Sequence, residues 1–314
     1  MSANTSIAYE QAKGPIDFGF TNDYMFRAIL QKNTKVLKGL VCALLHLQPE
    51  DITSIAVTNP VELGDRVDAK SFILDVKVQI NYHTLMNLEM QVVNLLNWED
   101  RSLSYLCRSY DQLCRGQEYN AALPAIHVGF LNYSPFPGST EFYAKYQLRN
   151  EKNGRVYSDK FNLRVIDLTQ ITNATEEDKR SQIYHWARLF KATTWEEIRM
   201  IAANNEYLSE ASRALFVMNA DEIAREQSLA REDYRRWQNT IERMRDEDAK
   251  IMEEQRMLLA EKEKALTETE RAILEAEMAL AKNERALAES EKALAEKDAE
   301  IARLKALLAE KEKE

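Results

Sequence analysis

Asp75, Glu89 and Gln91 are the residues whose types and spacing could carry chemistry in this chain. Asp75 closes one apolar run, Ile73-Leu74-Asp75-Val76, and Glu89 and Gln91 stand two apart in a second, Leu88-Glu89-Met90-Gln91-Val92. Both runs read as strands, and the polar region around Gln79, Tyr82 and His83 suits a turn between them. A period of two places Glu89 and Gln91 on one face of their strand. If the strands pair as a hairpin, Asp75 can lie opposite them. Converging carboxylates are costly to bury without a compensating charge, and a divalent cation is the obvious compensation. Oxygen donors without a Cys or His cluster favour Mg²⁺ or Mn²⁺ over zinc. The plainer reading is the polar outer face of an antiparallel hairpin. Against it, both acids are embedded in apolar strands, a local inconsistency of the kind that marks functional sites.

The elements that must position these residues follow from composition. The chain has 314 residues, of which 45% are apolar, enough for one substantial core and an extension. All eight glycines occur by Gly154 and all six prolines by Pro137, so the second half is expected to be mostly helical. Residues Phe161 to Leu168 alternate like a last strand of the sheet, and Ile126 to Leu131 reads as another. Helices are expected from about Thr175, where Ala174-Thr175-Glu176-Glu177 offers a cap. Strands on both sides of a helix suggest an α/β core with a mixed sheet.

From Lys264 the sequence repeats every seven residues, and Leu259, Leu266, Ile273, Leu280, Leu287, Leu294, Ile301 and Leu308 hold the period. Such a repeat indicates a left-handed coiled coil. The second seam is poor, with Lys262, Thr269, Ala276, Asn283, Ser290 and Lys297 before Leu304. An alanine-lined coil and a solitary helix held by charge pairs both stay open.

The order ILDVK then NLEMQ resembles the PD-(D/E)XK nuclease superfamily. More narrowly it resembles the bacterial recombination-promoting nuclease/putative transposase (Rpn) family, in which the final lysine is commonly glutamine. Asn22-Asp23-Tyr24-Met25-Phe26-Arg27 resembles that family's D-x-x-F-K helix start, and Asn59-Pro60-Val61-Glu62 its segment before the first catalytic strand. Arg101, Tyr105, Tyr110, Gly116, Tyr119, Leu123 and Pro124 resemble the helix and exit after the site. The likeness runs from about residue 17 to 240. It implies a restriction-endonuclease-like fold: a mixed sheet flanked by helices, followed by a long C-terminal helical or coiled-coil extension. The expected organisation is a flexible terminus over 1–16, a nuclease-like core over 17–170, a helical subdomain over 171–249 and the extension over 250–314.

The resemblance also implies metal-assisted phosphodiester hydrolysis of DNA. Asp75 and Glu89 would be the metal ligands, with the Met90 carbonyl a further donor. Gln91 stands where the superfamily usually keeps a lysine. A lysine stabilises developing negative charge, whereas a glutamine can only orient the attacking water by hydrogen bonds. Lys77, two residues from Asp75 and so on its face, is a substitute cation or else a solvated strand-end lysine. Asp23 either adds an acidic group from the first helix or is a residue of the helix start.

The helix after the site is expected over about Glu99 to Gln117, with Leu103, Leu106, Tyr110 and Leu113 facing a core. Arg101, Tyr105, Arg108 and Gln112 form a second stripe, whose polar groups either contact DNA phosphates or make a solvated face. Against promiscuous DNA binding stands a net charge of −9. Three cysteines and no secretory or membrane segment point to a reducing cytoplasm. Cys107 and Cys114 read as core residues rather than a zinc pair, and the four histidines show no ligand spacing. No Gly-rich phosphate loop or Ser-His-Asp arrangement is visible, which removes NTPase and acyl-transfer readings. The expectation is a cytoplasmic metal-dependent DNA endonuclease, homo-oligomeric through its C-terminal helix. The alternative is a nuclease-fold DNA-binding or assembly protein that has lost catalysis.

Overall fold

Met86, Leu88 and Met90 alternate with Asn87, Glu89 and Gln91 along one strand, Thr84–Gln91, and this alternation divides the molecule into two faces. The computed structural model describes residues 8–59, 75–136 and 138–311. Six strands form one mixed sheet: β1 (Ile55–Val57), β2 (Val76–Ile80), β3 (Thr84–Gln91), β4 (Ala125–Leu131), β5 (Tyr143–Gln147) and β6 (Phe161–Asp167). Their spatial order is β1-β2-β3-β4-β6-β5. The β3–β4 and β4–β6 pairs are parallel, and the three outer pairs are antiparallel.

One face of the sheet is covered by helices drawn from both ends of this unit. These are α1 (Asp23–Lys32), α2 (Thr34–Leu45), α5 (Ile183–Lys191), α6 (Trp195–Ala202) and α7 (Glu206–Ala220), with the short α4 (Glu176–Arg180) before them. Met25, Phe26, Val78, Leu88, Phe130, Phe190 and Leu215 belong to the resulting core. Phe130 makes edge-on contacts with Phe26 at 5.6 Å and Phe190 at 5.2 Å between ring centroids. Each such buried side chain contributes roughly 1.5–3 kcal/mol relative to exposure. The other face carries α3 (Trp98–Tyr110) over a small cluster of Trp98, Leu131, Ala144 and Val165.

The hairpin that aligns the acids is longer than the apolar runs suggested. β2 continues to Ile80, so Gln79 lies in the strand, and the turn is Asn81-Tyr82-His83. Asn81 and Tyr82 take left-handed backbone angles (φ 50° and 61°), which a tight hairpin turn demands. The Asn81 side chain accepts from Thr53 N at 2.8 Å and donates to the Asp51 carbonyl at 2.7 Å, and these bonds anchor the turn. His83 is exposed there.

The helix after the site corrects another expectation. It runs from Trp98 to Tyr110 and stops at Asp111, so Gln112 and Leu113 lie beyond it. Its buried stripe is Trp98, Ser102, Leu106 and Ser109, while Leu103 is exposed. With Ser102 on the buried stripe, Leu103, one residue on, turns about 100° away from it and faces outward. Cys107 and Cys114 are likewise exposed rather than core residues. The expected cap at Thr175 is present as a capping box with Asp178. Residues Pro60 to Glu62 and the pair Ile73-Leu74 lie outside the described residues.

The last helix, α8, spans Glu222–Lys311. The chain divides into two compact units, Met1–Arg243 and Met244–Glu314. The second is helical to Lys311, and its heptad residues from Leu259 through Ile301 are exposed. Among the described residues no helix is long and apolar enough to cross a membrane.

Candidate active site

Asp75 immediately precedes β2, and its neighbour Val76 registers with Leu88 of β3. Continuing that antiparallel register by one residue sets Asp75 opposite Glu89 on the α3 face of the sheet. Lys77, registered with Asn87, shares the face. Two groups fix the backbone at Asp75. The buried Arg27 of α1 donates through Nη1 to the Asp75 carbonyl and through Nη2 to the Asn59 carbonyl at 2.6 Å. Asn59 donates to the Asp75 carbonyl at 3.1 Å and accepts from the Lys77 amide at 2.8 Å. The side chain of Asn59 therefore stands in for a neighbouring strand where the ladder begins.

The carboxylates are deeply buried, Asp75 at 2% exposure and Glu89 at 4%. Both Asp75 oxygens and Glu89 Oε2 lack a hydrogen-bond partner among the described residues. Leaving such acceptors unmade costs about 1–3 kcal/mol each, and more when they are charged. Glu89 Oε1 accepts from Arg101 Nε at 2.7 Å. Burial pushes the Glu89 carboxyl above its ordinary range, and the Arg101 guanidinium works against that rise. Arg101 is itself braced by the Tyr105 hydroxyl at 3.3 Å and lies over the Tyr105 ring.

A second buried layer was missed in the sequence. His127 of β4 registers with Asn87 and is completely buried. It stacks between Trp98 at 5.6 Å and Tyr105 at 5.7 Å, and burial with the nearby Arg101 charge pushes its pKa down to about 3. A neutral imidazole therefore faces Glu89, with Nε2 3.7 Å from Oε2. Asn87 Nδ2 lies 3.0 Å from His127 Nδ1. With Asn87 donating, Nδ1 accepts and the ring proton sits on Nε2, pointed at the carboxylate. One sequence signal did exist: Asn87 sits two residues before Glu89 and so on its face. Gly129, two residues after His127 and on the same face of β4, completes the layer, because a Cβ there would lie 2.0 Å from the Trp98 ring.

Of the remaining expected residues, Gln91 and Asp23 border the same cavity as Glu89, and Arg108 and Gln112 do not. Gln91, half-buried on the Glu89 face, donates weakly to the Val93 carbonyl at 3.4 Å, while its Oε1 has no partner among the described residues. Asp23 is the first residue of α1, after the N-cap Asn22, and its carboxylate is held by Arg231 through Nε at 2.9 Å and through Nη2. Arg108 is exposed on α3, and Gln112 is off the helix, so the stripe they were to share with Arg101 is broken. Asp23, Glu89, Gln91 and Arg101 line a cavity of about 720 Å³. Among the described residues no three His, Cys, Asp or Glu side chains gather as a metal cluster. The donor set is two carboxylates, which suits a hard cation that keeps several waters and takes further ligands from substrate phosphate.

A mixed sheet with helices on both faces, carrying paired acids on neighbouring central strands, has the architecture of the restriction-endonuclease-like nucleases. The family model for PD-(D/E)XK nuclease family transposases matches residues 20–244, and the chain belongs to that family. No curated protein and no solved structure gives a significant match.

Proposed function

We propose that the chain is a divalent-metal-dependent DNA endonuclease of the recombination-promoting, transposase-like type. The observation that carries this reading is the set of three buried carboxylate oxygens, on Asp75 and Glu89, with no hydrogen-bond partner among the described residues. A fold that leaves such acceptors bare is stabilised by a cation that binds them. Asp75, Glu89 and the Met90 carbonyl would hold Mg²⁺ or Mn²⁺, which when bound supplies Lewis acidity and a lowered pKa for water.

The protein's own groups divide the remaining work. Gln91 orients the attacking water through its amide. Arg101, whose guanidinium already reaches Glu89, stabilises charge developing on the scissile phosphate, the task a lysine at position 91 would perform. Lys77, on the same face, adds a second cation near the phosphate. Asp23, tied to Arg231, borders the cavity and tunes its field. Arg108 meets the DNA backbone from the exposed side of α3.

Nicking of supercoiled plasmid with Mg²⁺ or Mn²⁺ tests this. Wild type should nick only with metal, and Asp75→Ala and Glu89→Ala should each lose at least about a hundredfold. Equal activity in all three would overturn the site. A second reading, a catalytically silent nuclease fold that assembles on DNA, is favoured by the ion pair that already occupies Glu89 Oε1. Complete absence of metal-dependent nicking with retained DNA binding would select it. We also propose homo-oligomerisation through the heptad helix. Light scattering before and after deletion of residues 250–314 checks it, and a monomer in both states would remove it.

A further inference from the structure

The cavity beside Glu89 has a second wall that the proposed hydrolysis leaves unused. Arg231, Tyr234, Arg235 and Gln238, at the start of α8, line it at i, i+3, i+4 and i+7 spacing, with Trp237 at the edge of the stripe. The aromatic groups form an ordered stack. The Arg231 guanidinium lies 5.1 Å from the Tyr234 ring centroid, and the Tyr234 and Trp237 rings are 5.6 Å apart at 32°. The stack ends in Trp237, which is 58% exposed. The other tryptophans, Trp98, Trp186 and Trp195, are buried.

The charges in the wall are nearly all spoken for, Glu232 among them, which lies 3.9 Å from Arg236. Arg231 is paired with Asp23, and Arg101 with Glu89. Arg235 is the exception: half-buried in the wall, it has no ion-pair partner among the described residues. The cavity therefore offers one cation without an ion-pair partner among the described residues and one open aromatic face, in the same cavity that Glu89 lines. A nucleotide carries both complements, a phosphate and a base. In a duplex, stacked neighbours cover each base, so only an unpaired base can lie against Trp237.

We infer that this wall is a stacking subsite for an unpaired nucleotide, with Trp237 receiving the base and Arg235 the phosphate. The substrate class it selects is single-stranded DNA or a junction between single strand and duplex, in preference to uniform duplex. The choice of DNA as ligand rests on the nuclease reading above.

Binding is measured on the full chain in EDTA, where no hydrolysis occurs, using a labelled single-stranded oligonucleotide, its blunt duplex and a gapped duplex. Anisotropy and tryptophan emission are read together. The single strand and the gapped duplex should bind more tightly than the blunt duplex and should quench emission. Trp237→Ala should abolish the quench and weaken single-strand binding at least about fivefold, with the blunt duplex unchanged, and Trp237→Phe should retain most of the affinity. Arg235→Gln should make the slope of log affinity against log salt shallower by about 0.7 for the single strand. A preference for blunt duplex, or unaltered single-strand affinity in Trp237→Ala, would overturn the subsite. So would a change in the mass of nucleotide-free Trp237→Ala by light scattering, which would assign the indole to a contact between copies. Failure in EDTA with intact metal-dependent nicking would sink the stacking subsite alone. Trp237-dependent binding without nicking would sink catalysis alone.

Discussion

On the face of the sheet that carries Met86, Leu88 and Phe130, buried side chains pack with the covering helices in one apolar cluster. On the face that carries Asp75, Asn87, Glu89 and His127, polar side chains are buried just as deeply, and each leaves at least one polar atom without a hydrogen-bond partner among the described residues. The same strands build both faces, alternating residue by residue. The first face supplies stability. The second gives some of it up, holding acceptors without hydrogen-bond partners beside a cavity, the pattern expected of the proposed metal site.

The sharpest way to test that division is to damage each face and ask which property fails. Phe130→Ala on the apolar face should cost about 3–5 kcal/mol of stability in urea unfolding. Where the variant remains folded, its metal-dependent nicking per folded molecule should stay near wild type. Loss of activity without loss of stability would break the comparison. On the polar face, saturating Mg²⁺ or Mn²⁺ should stabilise wild type by about 2.7 kcal/mol at a hundredfold excess over Kd. Asp75→Asn should lose that response, and thermal unfolding with and without metal reads it independently of activity.

A smaller effect probes how the two layers meet. Gly129→Ala pushes a methyl into Trp98 and should cost about 1–3 kcal/mol. Because Trp98 stacks on His127, nicking should fall beyond what the folded fraction explains. Smallest of all, Asp75→Asn without metal should match or exceed wild-type stability by about 1 kcal/mol, since it removes a buried charge whose oxygens have no hydrogen-bond partner among the described residues, with only the nearby charges of Arg27 and Arg101 to offset it. A clear loss of stability there would mean that Asp75 is paired in the protein and that the bare-acceptor reading fails.

Much of this was legible in the residues. The alternation around Glu89 fixes which side chains share a face. The runs at Ile126 and Phe161 read as strands, though not as parallel ones, and the absence of glycine and proline after Gly154 announces helix. The order of ILDVK and NLEMQ was enough to expect the family. Other features had no local signal. That Arg101 reaches Glu89 is one of these, from a helix whose buried stripe carries Ser102 and Ser109. Arg27 was only part of a helix-start motif, but it clamps the Asp75 carbonyl across 48 residues of sequence. Arg231, Arg235 and Trp237 sit in a stretch that reads as ordinary charged helix, and they became candidates only when α8 was found beside Glu89.

The sequence by itself determined the period of each element, the face on which each acid lies and the heptad helix, because these depend on spacing along the chain. Only the tertiary structure decided which charges are neutralised, which acceptors stay bare and which ring stands open to the cavity. Those properties depend on neighbours brought together from distant segments, and on the loss of water that burial imposes on them.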